Sequence, residues 1–520
     1  MPDRTRSTPP FALRGPFLTS YGDPFVDGVD ATRRYESDGV VVIVDGMIAD
    51  AGPARQVLGR LPERTPVERL PRGTVLAPGF VDCHVHYAQL PVIASHGTEL
   101  LDWLARYTFP SERAFAEPRH ARATARRFFD LTLAAGTTAT AVFCTVHAGS
   151  VEAFFAEAAR RGVRAVAGKV LMDRHAPKDL RDSARRGYDE SKALIGRWHG
   201  RGRLGYAITP RFAPTSTPAQ LEAAGALWRE HPDCWVQSHL SESVREVAWV
   251  RELFPSARDY VDVYARYGLL GKRAIYGHGI HLAERELAAL AASGTSLAHC
   301  PTSNLFLGSG LFDWKRVKKR GRPVRTGVAS DIGGGTSLSM LATLAEAYKV
   351  ARMRGASLSP GELFHLATRG GAEALDRHHR IGGIAPGLEA DLVLLDLGAT
   401  PLLAQRVRHA DDLDDALFAL IVLGVIAVDN KFNGKPIGDE ALGFLTLFAN
   451  QAGLANFKAV VIGYHLFSCL ACCSAQQGVL SPAIDQKDSS MVETKTISNE
   501  VNRFVKQTLH QAATTFRSGP

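Results

Sequence analysis

The sequence predicts an α/β protein: a (β/α)8 TIM barrel joined to a small β-sandwich domain built from the N-terminal strands and the strands after the barrel. Two observations carry that expectation. Between residues 76 and 384, apolar runs of strand character recur eight times, separated by polar loops and helical segments, which is the rhythm of βα units. The flanking segments, 1–75 and 385–424, read instead as strands and turns. Alternation by itself also suits a doubly wound sheet.

In chain order, residues 39–52 are two apolar runs around Asp45-Gly46, a hairpin signal. A hairpin cannot bury a core alone and must pack on other strands. The first barrel strand is expected over 74–86, an apolar run that leads into Asp82, His84 and His86. Further strands are expected at 138–145, 164–173, 204–212, 234–242, 273–282, 295–304 and 324–332. Among the helices, Thr217-Pro218 with Gln220 reads as an N-cap, a first-turn proline and a capping-box partner for 218–230. Ser150 is placed to cap 151–161, which stops at Gly162, and 283–293 stops at Gly294. Strand character returns at 385–397.

In such a barrel, chemistry sits where strands end. The predicted first strand ends in His84 and His86; since side chains alternate along a strand, both imidazoles leave in one direction. The later strands end in Arg211-Phe212, His239 with Glu242, His278, His299 and Asp331. His84, His86, His239, His278 and Asp331 offer four nitrogens and one carboxylate, a set that suits one divalent ion, zinc above all, with a position left for water. Glu242 follows His239 by three residues and is placed to carry protons, and Asp331 is placed to accept the water's proton. A helix N-terminal carboxylate is the plainer reading of Glu242.

Composition bounds the rest. Of 520 residues, 45% are hydrophobic and 22% charged, ordinary for a soluble protein. Lys and Arg number 61 against 53 acids, a mild +8 with scattered arginines, so no nucleic-acid surface is expected. The cysteine count of seven is odd and dispersed, which reads as reduced thiols. No secretory h-region opens the chain, and the apolar runs 416–428 and 459–473 are too short to span a membrane. A cytoplasmic protein with no membrane partner is expected.

The histidine and aspartate pattern resembles the amidohydrolase superfamily. Its binuclear members carry a bridging lysine near the end of strand three or four, and strand four here ends in Pro210-Arg211-Phe212. The resemblance therefore implies one Zn2+ per chain, with Lys169 structural. Several stretches narrow it to the guanine deaminases. They are Pro78-Gly-Phe-Val-Asp-Cys-His-Val-His-Tyr-Ala-Gln89, Leu100-Leu-Asp-Trp-Leu-Ala-Arg-Tyr-Thr-Phe-Pro-Ser-Glu112, Thr209-Pro-Arg-Phe212, Gln237-Ser-His-Leu-Ser-Glu242, Ala298-His-Cys-Pro-Thr-Ser-Asn-Leu305 and Ser330-Asp-Ile-Gly-Gly-Gly335. What this implies is hydrolysis of guanine to xanthine and ammonia by a homodimer. It also implies substrate contacts from His86, Tyr87, Ala88, Gln89, Arg211, Phe212, His239, Glu242 and Asp331, those of Tyr87 and Ala88 through the backbone. Physical chemistry agrees for three of them: Arg211 is a forked donor for a carbonyl oxygen, Phe212 offers a ring, and Gln89 can donate and accept along a base edge. Each also has a plainer reading: salt-bridge partner, core aromatic and solvated loop residue.

His281 and His299 are not expected to bind metal, and His299 is expected to hydrogen-bond near the pocket. Cys83 and Cys300 are expected to be small buried hydrophobes. The competing functions are another mononuclear amidohydrolase acting on a pterin, triazine or adenosine-like substrate, and a non-catalytic binding protein on the same fold. The match ends near residue 424. Residues 425–455 resemble the end of a GAF domain, and 425–520 as a whole is an atypical extension. It holds the Cys469, Cys472 and Cys473 cluster and an amphipathic stretch at 501–509.

Overall fold

The computed structural model describes residues 10–97 and 99–424. The GAF-like stretch, the cysteine cluster and the 501–509 helix lie outside the described residues.

The barrel is present. Its eight parallel strands are Phe80–His86, Thr137–Phe143, Arg164–Gly168, Leu204–Pro210, Trp235–Leu240, Ala274–His278, Ser296–His299 and Thr326–Val328, each paired with the next. Just past the eighth strand, Asp331 N–H donates to the His84 carbonyl (2.9 Å) and His86 N–H donates to the Ile332 carbonyl (2.8 Å), which brings the last segment against the first strand. Strands such as Leu204–Pro210 are buried along their whole length. Helices cover their outer face, so they read as continuous apolar runs and not as alternating ones.

The expected strand 74–86 is two strands. Thr74–Pro78 belongs to a separate six-stranded sheet and Phe80–His86 to the barrel. Gly79 divides them: its N–H donates to the Asp391 carbonyl at 2.7 Å, and a Cβ there would lie 2.1 Å from Thr138 Oγ1. A continuous apolar run hides such a break, because both strands are buried and no polar residue marks the change of sheet.

The second sheet runs in the order Leu392–Asp396, Thr74–Pro78, Phe11–Ser20, Arg33–Val44, Met47–Pro53, with Val67–Arg69 alongside Phe11–Ser20. The expected hairpin closes with Val44 opposite Met47, and Asp45 (φ 51°) and Gly46 (φ 75°) form its turn, as a two-residue connection requires. Alternate residues feed two apolar clusters: Leu13, Val41 and Ile43 face Leu76 and Leu392, while Ala12, Val40 and Val42 face Ala54 and Val57. After 385, among the described residues, Leu392–Asp396 is the one strand; Pro401–Val407 and Leu413–Leu423, in the segment assigned to the small sandwich domain, are helices. Thr400 and Asp412 cap them through the Leu403 and Asp415 amides, a local signal that outweighs the apolar composition.

Thr217 caps Pro218–Glu230 as expected, but the Gln220 side chain accepts from Ser216 Oγ (2.8 Å) instead of completing a capping box. Helix Ala148–Arg161 starts at His147, not at Ser150; Ser150 Oγ instead accepts from the Thr145 amide and hydroxyl. Gly162 and Gly294 end their helices in the left-handed conformation (φ 67° and 72°).

Candidate metal and substrate site

Three imidazoles and one carboxylate crowd together at the C-terminal mouth of the barrel. His86 Nε2 lies 3.2 Å from His84 Nε2 and 3.1 Å from His239 Nε2. Asp331 Oδ1 is 3.4 Å from His84 Nε2 and 3.5 Å from His86 Nε2. His278 Nε2 completes the group, 3.9 Å from Asp331 Oδ2. Two nitrogens each ~2.0–2.1 Å from a zinc ion at a tetrahedral angle would be ~3.3–3.4 Å apart, so this spacing is that of ligands around one centre. His278 Nε2 is buried without a hydrogen-bond partner, as an atom reserved for an ion would be. The donor set thus fits a divalent metal. Lys169 is committed elsewhere, to Asp182 and Glu190.

Local backbone aims these groups. His278 and Asp331 both adopt positive φ (72° and 48°), a costly conformation for a side-chain-bearing residue, typical of functional sites. Gly277 leaves room for the His84 ring: a Cβ there would sit 2.7 Å from His84 Cε1. His239 Nδ1 is 2.6 Å from the Arg211 carbonyl, which fixes Nδ1 as the protonated nitrogen and frees Nε2. His278 Nδ1 lies 2.9 Å from the Asn304 amide, whose Oδ1 is otherwise unpartnered; with that amide turned over, Oδ1 accepts from Nδ1–H. Asp82 points to the same side of its strand as His84. It accepts from the Ser330 amide (3.0 Å), the Ser330 hydroxyl and the His84 amide (3.3 Å). It therefore ties the first ligand strand to the residue before Asp331.

Burial governs the electrostatics. It pulls His278 down to about 4 and holds His86 and His239 well below the ordinary imidazole value, with neighbouring imidazoles and Arg211 acting in the same direction on the latter two. Neutral imidazoles are the form that binds metal. Burial pushes Asp331 up, but the adjacent His84 and His278 outweigh it and hold the carboxyl below its usual range. Glu242 is driven well above the carboxylate range by burial, then by the charges of Asp331 and Glu246. Its Oε2 faces His278 Nε2 at 3.3 Å, and Oε1 accepts from Ser309 Oγ at 3.1 Å.

Above the ligands is a cavity with ≈ 400 Å³ of empty space, lined by His86, Gln89, Arg211, Phe212, His239, Glu242, His278, Asp331 and Gly334, with Leu100, Trp103, Leu104 and Leu307 as an apolar wall. The polar side holds a second network. Arg211 Nη1 donates to both oxygens of Glu112 (2.8 and 2.9 Å), and Gln89 Nε2 donates to Glu112 Oε1 (3.1 Å). Gln89 Oε1 accepts from the Gly333 amide (3.2 Å). Arg211 is thus a salt-bridge partner and a cavity residue at once, Phe212 packs with the apolar wall while lining the cavity, and Gln89 is buried, not solvated.

The structure does not gather every expected residue. Tyr87 and Ala88 are absent from the cavity lining. The Tyr87 hydroxyl donates to the Ser150 carbonyl in the core, and the Ala88 carbonyl accepts from Ser111. His281 Nε2 donates to the Ser309 carbonyl instead (2.8 Å). His299 was expected to hydrogen-bond, yet neither ring nitrogen has a partner; it stacks on Phe312 at 4.4 Å. Sequence reading missed Glu112 as a buried hub, Asp82 as a strand tie, and Leu100, Trp103, Leu104 and Leu307 as cavity wall. The one available signal was Asp82, two residues before His84 and so on its face of the strand.

Comparison with known proteins follows the geometry. Residues 75–437 match the model of the amidohydrolase family. The guanine deaminase of Escherichia coli K12 is 44% identical over 416 residues, spanning 79% of this chain and 94% of that one. The solved structure of E. coli guanine deaminase superposes with a TM-score of 0.77 at 43% identity, covering 80% of this chain and 95% of that chain. A guanine deaminase from C. acetobutylicum with guanine bound in its active site superposes with a TM-score of 0.71 at 27% identity, covering 80% and 96%.

Proposed function

The chain belongs to the amidohydrolase family, and from that membership we propose that the cavity described above binds guanine and removes its 2-amino group by hydrolysis. Guanine deamination is the activity of this protein: the chain is similar to guanine deaminases over most of its length. The observation that carries the reading at the level of chemistry is the convergence of His86, Glu242, Asp331, Arg211 and Gln89 on one cavity.

His84, His86, His239, His278 and Asp331 would hold one Zn2+, chosen for its affinity for imidazole and carboxylate donors. When bound, the ion supplies Lewis acidity that lowers the pKa of a water toward neutrality. The remaining work falls to side chains. Arg211 takes the purine carbonyl oxygen, Gln89 reads the neighbouring edge, and Phe212 with the leucine and tryptophan wall covers the faces of the ring. His86 and His239 bound the base on the metal side. Glu242, protonated by virtue of its burial, gives its proton to the ring nitrogen beside C2 and makes that carbon electrophilic. Asp331 accepts a proton from the attacking water. A C2–O bond forms, the C2–N bond to the exocyclic amine breaks, the proton held by Asp331 leaves with the amine as ammonia, and the proton of the new C2 hydroxyl returns to Glu242 as the C2 carbonyl of xanthine forms.

A homodimer is carried over from the family resemblance, and a cytoplasmic location from the dispersed cysteines. Among the described residues, no helix is long and apolar enough to cross a membrane. The test is direct: purified full chain with restored zinc, its metal content measured, is given guanine. Xanthine and ammonia in equal amounts are expected, and unchanged guanine with the metal in place would end this reading.

A further inference from the structure

We propose that Glu112 is a positioning residue for recognition of the base, holding Arg211 and Gln89 in the orientation that meets the purine edge. The proposal rests on the reading that Arg211 takes the carbonyl oxygen.

Glu112 is fully buried and lines no part of the cavity itself. Its carboxylate is nevertheless the common partner of the cavity's two neutral-edge readers. Both of its oxygens converge on one nitrogen of Arg211, Nη1, and neither of those bonds uses Nε or Nη2. The guanidinium is therefore anchored by one corner and turned, not capped across its fork. Arg211 is itself 2% exposed, and an isolated buried cation would be costly and poorly placed. Glu112 offsets that charge next to a cluster of imidazoles whose affinity for protons Arg211 already lowers.

The second arm of Glu112 sets the Gln89 amide. Nε2 donates to Glu112 and Oε1 accepts from the Gly333 N–H, so the amide has one orientation and cannot turn over without losing both bonds. A continuous chain runs from Gly333, two residues beyond Asp331, through Gln89 and Glu112 to Arg211 at the end of the fourth strand. Glu112 lies on the short helix Phe109–Arg113. That helix continues directly from Leu100–Trp103 and the wide turn Leu104–Thr108, the segment that supplies three residues of the apolar wall. The Phe109 ring also faces the Arg211 guanidinium at 5.7 Å. One stretch of chain therefore brings both the apolar wall and the carboxylate that aims the polar groups, so the shape and the hydrogen-bonding face of the cavity form together.

The experiment compares guanine with 2-aminopurine, which keeps the amino group and lacks the carbonyl oxygen. For each ligand KM is measured where it turns over and Ki where it does not, in the parent chain, Glu112→Gln, Glu112→Asp and Arg211→Met, with metal content recorded. Glu112→Gln is expected to raise KM for guanine about 10–100-fold, as loss of a charge-assisted contact does. Its constant for 2-aminopurine, which has no oxygen for Arg211 and feels only the loosened Gln89, should rise at least about 3-fold less than that for guanine, kcat should change much less than KM, and metal content should match the parent. Glu112→Asp should recover part of the loss and carries the same comparison if Glu112→Gln does not fold. Equal losses for both ligands, or none for either, would overturn the proposal. If Arg211→Met collapses the preference for guanine while the Glu112 variants keep it, Glu112 alone is refuted. If Arg211→Met leaves that preference intact, the reading of Arg211 fails first.

Discussion

Glu242 keeps its two oxygens in different company, one beneath the Ser309 hydroxyl and one toward His278. Burial favours the acid form of a group so placed, the form that gives a proton to the ring nitrogen. Glu242→Gln preserves shape and removes the proton; kcat is expected to fall by about 10²–10⁴-fold, with metal content unchanged by elemental analysis. Asp82 works at one remove. Burial raises its carboxyl to about 6 even with the Ser330 and His84 donors pulling the other way. Asp82→Ala leaves those donors without an acceptor, and metal affinity is expected to weaken about 10–100-fold by competition with a chelator. The difference between these residues is also what sequence could reveal. The convergence of His84, His86, His239, His278, Asp331 and Glu242 was legible because strand ends in a barrel share one face. Glu112 and Asp82 act through partners far along the chain, Arg211 and Ser330, and no local spacing reports such a pairing.

Among the elements, the starts of the second to eighth barrel strands were read to within two residues, since parallel buried strands announce themselves as apolar runs between helices, but their expected ends overran by up to five, and 295–304 runs past Ser296–His299 into the helix Pro301–Phe306. The same property concealed the change of sheet at Gly79. Helix ends followed side-chain capping: Thr217, Gly162 and Gly294 behaved as their residue types dictate, while Ser150 found a better use receiving the Thr145 donors. The segment 100–113 was legible only as a signature, not as a wall, because its short helices and wide turn carry no periodic pattern. Strand packing also yields a prediction. Gly277 faces the His84 ring, and Gly277→Ala drives a Cβ to within 2.7 Å of it. Overpacking of that kind costs about 1–3 kcal/mol, and here it falls on a ligand. Reduced metal content is expected alongside a lower melting temperature, with the far-UV circular dichroism spectrum of the parent.

For the whole molecule, stability depends on groups kept neutral in the interior. Burial holds both His299 and His365 at about 3, with Asp23 only partly offsetting the effect on His365 and Lys318 and Arg369 reinforcing it. Unfolded histidine titrates near 6.5, so the unfolded chain takes up protons that the folded one refuses. Stability is fully present above about pH 6.5 and is lost as pH falls toward about 3, at roughly 2 kcal/mol per imidazole between pH 7 and pH 5. Thermal melting across that range should show the loss, and His365→Gln should make the decline shallower. Removing metal with a chelator at pH 7 should also lower the melting temperature, because an ion bound only by the folded chain stabilises it. The break at Gly79 joins these scales. One residue separates a strand of the outer sheet from the strand that bears His84 and His86, and the Asp391 carbonyl clamps that joint. A load applied to Thr74–Pro78, whether by a fused partner or a tethered surface, therefore reaches the strand of the two imidazoles through a single residue.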